Sequence, residues 1–235
     1  MNEFSRRTLL GGAVAVAATT LWNEPVHAQY VWQKGDWHAE EFEALIRSSR
    51  RIKQVVHGFG MNDGRFLKNA KNSLNGLHFG SGVAAEQIQI VCALNGPANM
   101  ANYSDYVWQK YRIGEFEKEK DPKTGEPAVR NLYYPSPAGP ALKYTSDDPS
   151  DPNSAYQDFS VQGLQARGVK FISCHSSIEE ASRGLIKQFN LSAPPEEIAK
   201  DIQAHIIPGV ILVPALAAAL ALLQGDGHYS YMSAG

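Results

Sequence analysis

Four short, largely apolar runs punctuate the chain, at residues 52–57, 88–94, 169–174 and 210–213. None keeps a strict apolar–polar alternation, and each is followed by turn-forming residues. That is the pattern of strands covered on both faces. Between the runs the hydrophobic spacing lengthens to a helical period, predicting helices over 65–77, 98–116, 155–166, 177–189, 196–204 and 215–224. Strands separated by helices need crossover connections, so the pattern predicts an α/β fold, a three-layer sandwich around a mostly parallel sheet. His228-Tyr-Ser-Tyr-Met232 supplies an edge strand, making about five strands in all.

Two segments depart from this rhythm. Residues 208–223 are uncharged, but Pro214 interrupts them after a short apolar run. Proline is tolerated in the first turn of a helix, so the segment reads as a buried strand and a following helix, with no membrane span. Residues 118–153 hold Pro122, Pro127, Pro135, Pro137, Pro140, Pro149 and Pro152, with Tyr133, Tyr134 and Tyr144 among them. Irregular stretches of this length inside a compact domain are functional or disordered. The tyrosines favour packing against the body or a partner, with a lid over a site as one use.

The N-terminus belongs to a different kind of segment. Ser5-Arg6-Arg7-Thr8-Leu9-Leu10 resembles a twin-arginine export signature and is followed by an apolar run to Leu21. Val26-His27-Ala28 has the small-x-small pattern of a signal-peptidase site. Residues 1–28 therefore read as a twin-arginine signal peptide and 29–235 as one domain carrying the insertion, with Gln29 as the mature start. An uncleaved anchor is the alternative. Export implies a periplasmic location, where thiols tend to be oxidised. About 207 residues remain, enough for one core. A net charge of −2 carries no signal for nucleic acid or an anionic membrane. Two cysteines make no disulfide framework.

The densest chemical signal is Val169-Lys-Phe-Ile-Ser-Cys-His-Ser-Ser-Ile-Glu-Glu180. A strand stops at Cys174 and a helix follows at once. Ser176 and Ser177, each three residues before a glutamate, have the capping-box pattern. A thiol beside a helix N-terminus is favoured as a thiolate, the nucleophilic form of cysteine. Cys92, inside Ile90-Val-Cys-Ala-Leu94, reads as core. No histidine or cysteine pair has the spacing of a metal motif, and no haem, phosphate-loop or dinucleotide fingerprint occurs, so neither metal nor cofactor is expected.

Laid end to end, these strand ends resemble the DsrE-like family of small sulfur-handling α/β proteins. The resemblance is carried by Val55-Val-His-Gly58, Leu94-Asn95-Gly96 and Gly168-Val169-Lys-Phe-Ile-Ser-Cys174. It continues through Ile207-Pro208-Gly209-Val210-Ile-Leu-Val-Pro214 and Gln224-Gly-Asp-Gly-His-Tyr229. It implies that Cys174 takes up persulfide sulfur and passes it on, that a sulfur donor or acceptor protein is the partner, and that the protein is a homo-oligomer. The export leader and the insertion set this chain apart from the family's cytoplasmic carriers.

Parallel sheets bind ligands outside the carboxyl ends of their strands. Cys174, His57, Asn95 and Pro214 all fall at such ends. Cys174 is the candidate nucleophile, with His57 or the adjacent His175 as its proton partner. Asn95 can donate to an anion, and Gly96 opens the next helical turn. Two functions remain open: sulfur binding or transfer on Cys174, and a non-catalytic binding or assembly module built on the insertion.

Overall fold

The computed structural model describes residues 34–135 and 144–234. The expected leader at 1–28 lies outside them, as do residues 136–143 of the insertion. The described residues belong to one compact unit, Trp32–Gly235.

Five strands form one sheet: β1 (Ile52–Gly58), β2 (Ile88–Leu94), β3 (Lys170–Cys174), β4 (Val210–Val213) and β5 (Ser230–Ser233). They lie in the order β4-β3-β2-β1-β5, and every pair is parallel. Eight α-helices accompany them among the described residues: α1 (Ala39–Ile46), α2 (Arg65–Asn75), α3 (Asp105–Lys110), α4 (Ile113–Phe116), α5 (Val161–Ala166), α6 (His175–Phe189), α7 (Pro195–Ala204) and α8 (Leu216–Gly225). The expected α/β sandwich is present.

Alternation along the strands divides the core in two. Val56, Cys92, Leu94, Phe171, Val210 and Leu212 point to the face covered by α2, α5, α6 and α7. Val55, Val91, Ala93, Ile172, Cys174, Ile211 and Val213 point to the face covered by α1 and α8. Both sets are apolar because both faces are covered, which is why the strands read as continuous runs. The connection leaving β3 runs into α6 on the first face, whereas that leaving β4 runs into α8 on the second. Neighbouring strands whose connections part in this way form the topological switch point of an open sheet.

Several helices differ from the sequence reading. The single helix expected over 98–116 is broken into a 3-10 segment at Gly96–Asn102, then α3, then α4. Its backbone is claimed by tertiary hydrogen bonds: Ile207 N–H donates to Asn102 O over 2.8 Å and Ser104 N–H to His205 O over 3.0 Å. Arg112, at φ 53°, makes the second break. The helix expected from 155 begins only at Val161, where the Ser160 side chain accepts from Gly163 N–H. No helix was expected over 39–46, although Phe42 and Leu45 bury one face of α1. The uncharged stretch from 208 holds β4 and α8, and among the described residues no helix is long and apolar enough to cross a membrane.

Candidate functional site

Cys174 ends β3 and faces α1 and α8, level with Val213 at the end of β4. Its sulfur therefore sits at the switch point. Leu216 N–H, in the first turn of α8, donates to Sγ over 3.3 Å, and Ser176 Oγ lies 3.0 Å from Sγ. Ser176 N–H donates to Pro214 O over 3.2 Å, tying the start of α6 to the β4–α8 turn. The helix terminus that serves the sulfur is thus that of α8, not that of the helix following Cys174 in sequence.

The capping-box expectation fails at the same place. α6 starts at His175, two residues early, with Cys174 as its N-cap and no side-chain cap. Both serines have tertiary partners instead: Ser176 meets the cysteine sulfur, and Ser177 Oγ accepts Gly96 N–H over 3.0 Å. A hydroxyl offered a strand-end partner does not also cap its own helix.

A second layer, not foreseen from sequence, fixes the backbone of Cys174. Asn99 is fully buried, its Oδ1 accepting from Cys174 N–H at 3.1 Å and Ser173 O–H at 3.0 Å. Its Nδ2 donates to Cys174 O at 3.2 Å, and Asn102 Nδ2 donates to Ile172 O at 3.1 Å. Two asparagines three apart in an otherwise apolar stretch were the available signal, since buried amides persist where they are hydrogen-bonded.

Comparison with protein-family models, curated proteins and solved structures finds no match.

Cys174 is 2% exposed and its thiol is free. Cys92 is free as well but points to the opposite face of the sheet, and burial pushes its thiol far above the usual range. No disulfide can join two sulfurs across a sheet.

His57 and Asn95 are brought together, though not onto the cysteine. His57 Nε2 lies 2.8 Å from Asn95 Oδ1, and His57 Nδ1 lies 2.8 Å from Tyr231 Oη on β5. A neutral ring that donates from Nε2 to the amide oxygen accepts at Nδ1 from the phenol. Two strand spacings, about 10 Å, separate β1 from β3 in the sheet plane. His57, Asn95, Cys174 and Pro214 thus share one rim, with the histidine and the cysteine at separate stations on it. Gly96, at φ +54°, turns the chain beside them, and a Cβ there would meet Phe59 at 3.0 Å.

His175 turns towards α7. Its Nε2 lies 3.1 Å from Glu179 Oε1, and the Gln203 amide donates to its Nδ1. Burial holds its pKa below the usual value, with Glu179 opposing. Among the described residues no group of three His, Cys, Asp or Glu is placed to hold a metal ion.

Proposed function

We propose that this protein binds or passes on sulfur as a persulfide on Cys174, in the manner of the DsrE-like family that its strand ends resemble. The observation carrying the reading is the Leu216 N–H aimed at Sγ over 3.3 Å, at the switch point of the sheet. A backbone donor at a helix N-terminus favours anionic sulfur, whether thiolate or persulfide. In the transfer step the thiolate attacks the outer sulfur of a donor persulfide. A sulfur–sulfur bond forms on Cys174 as the donor's own breaks, and the donor leaves as a thiolate without an outside oxidant. A partner protein supplies or removes the sulfur.

Because Cys174 is 2% exposed, loading requires the rim around its sulfur to open. A cysteine that only packs would be buried in the same way, and mass separates the two roles. The protein is incubated with a small-molecule persulfide donor and weighed intact. One added sulfur on the wild type, absent from Cys174→Ser, is expected; no gain, or an equal gain in the variant, sinks the reading. Export through the twin-arginine leader is part of the same proposal. N-terminal sequencing of protein recovered from the periplasm then reads from Gln29.

A further inference from the structure

The chain holds two Asn-Gly steps, Asn75-Gly76 and Asn95-Gly96. In such a step the glycine nitrogen, with no Cβ beside it, can attack the asparagine side-chain carbonyl and expel ammonia. The fold treats the two steps in opposite ways.

Asn75 ends α2, and Gly76 N–H donates back into that helix, to Asn72 O and Ser73 O. Arg167 donates to Asn75 Oδ1 at 2.7 Å and so polarises the carbonyl, but Nδ2 is tied to Tyr156 O at 2.8 Å. The attacking nitrogen is thus locked in the helix, and the departing one is held.

Asn95-Gly96 lies in the half-buried turn after β2, where water can reach it. His57 Nε2 donates to Asn95 Oδ1 at 2.8 Å, and the Tyr231 phenol, 2.8 Å from Nδ1, fixes the tautomer that can do so. Among the described residues nothing holds Asn95 Nδ2. Gly96 N–H is spent on no helix carbonyl; it donates to Ser177 Oγ at 3.0 Å. The glycine itself is required, since φ is +54° and a Cβ would meet Phe59 at 3.0 Å.

We infer that Asn95-Gly96 is a self-modification site, where the folded protein converts its own asparagine to aspartate and isoaspartate through a succinimide. Gly96 N bonds to Asn95 Cγ as the Cγ–Nδ2 bond breaks, and the Gly96 amide proton leaves with that nitrogen as ammonia. Water then opens the ring at either carbonyl, and no oxidant or reductant is needed. His57 stabilises the negative charge that builds on Oδ1 during attack, as an oxyanion-hole donor does. Ser177 Oγ, accepting from Gly96 N–H, enriches the attacking nitrogen. The product sets a carboxylate against His57 where a neutral amide stood. The reaction is independent of sulfur chemistry at Cys174.

One tryptic peptide, residues 72–110, carries both steps, so fragment-ion mapping compares them within one sample. The purified protein is aged in mildly alkaline buffer, with and without urea, and isoaspartate is also measured by enzymatic methylation. In the folded protein Asn95 is expected to convert about tenfold faster than Asn75, and in urea the two should be alike. His57→Phe removes the donor and should slow Asn95 about tenfold in the folded protein, with no effect in urea. If circular dichroism shows that variant unfolded, Tyr231→Phe decides instead, since Tyr231 is 45% exposed; a slowing of about threefold is expected. Equal rates at the two steps in the folded protein overturn the inference. So does a folded variant in which Asn95 converts as fast as in the wild type, or faster.

Discussion

The side-chain amide of Asn99 holds the backbone of Cys174 from both sides, accepting from its N–H at 3.1 Å and donating to its carbonyl at 3.2 Å. No ladder partner extends past Cys174 on the β2 side, where pairing stops at Leu94 and Ser173. The amide continues the ladder by one residue. It thereby sets where Sγ lies relative to Leu216.

Asn99→Ala is therefore expected to be among the most destabilising changes at this rim. It leaves the Cys174 N–H and the Ser173 hydroxyl buried without their acceptor, at a cost of about 3 kcal/mol. Asn95→Ala removes an amide only a few residues away, one that is half-buried and bonded to His57, and should cost about 1 kcal/mol or less. Urea unfolding of both variants checks the contrast. Equal losses would mean that the clamp on Cys174 carries no special weight.

The two cysteines are expected to behave independently. With sulfurs on opposite faces of the sheet, mild oxidation of the native protein forms no internal disulfide, and oxidation in denaturant does. In native conditions a maleimide is expected to react slowly with Cys174, as the rim around it opens, while Cys92 stays unlabelled. Intact mass of Cys92→Ala and Cys174→Ser variants assigns each label. Labelling of Cys92 at the rate of Cys174 would contradict this placement.

The strands were legible because burial on both faces leaves apolar runs that need no partner to be recognised. The position of Cys174 at a strand end followed directly. Its neighbours did not, because they depend on strand order. β5 docks beside β1, so His57 finds Tyr231 and Asn95 rather than the cysteine. The same limit explains the serines after Cys174: their capping pattern is local, and tertiary partners displaced it. Asn99 was hidden for a third reason, since a polar residue within an apolar helical pattern shows its role only when the opposing strand end is known. α1, by contrast, carried a readable signal in Phe42 and Leu45, three positions apart and buried together.

Acid stability should depend on His175. Its folded pKa is held below the ordinary 6.5, chiefly by burial between Glu179 of its own helix and Gln203 of α7. The unfolded chain therefore binds more protons than the folded one as pH falls below that value. The neutral ring's contribution is fully present above about pH 6.5 and is lost progressively on acidification toward the folded pKa. Comparing urea midpoints at about pH 7.5 and 5.5 should show a steeper loss for the wild type than for His175→Gln. Parallel losses would place the acid-sensitive group elsewhere.

Gly114 tests how the insertion is held. A methyl group there would fall 2.2 Å from the carbonyl oxygen of Ala128 and 2.5 Å from its nitrogen. Backbone from α4 and backbone from the insertion are thus in direct contact, and neither can yield as a side chain tip can. At an unconstrained helical position Gly→Ala stabilises by about 0.5–1 kcal/mol. Here the sign should reverse, because Gly114→Ala must push Ala128 away and with it the segment that places Asn131 and Tyr133, at a cost of about 2 kcal/mol or more. Limited proteolysis reads the outcome locally: cleavage within residues 118–135 should accelerate in the variant while the strands stay protected. Unchanged cleavage together with unchanged stability would show that the insertion is not seated against α4.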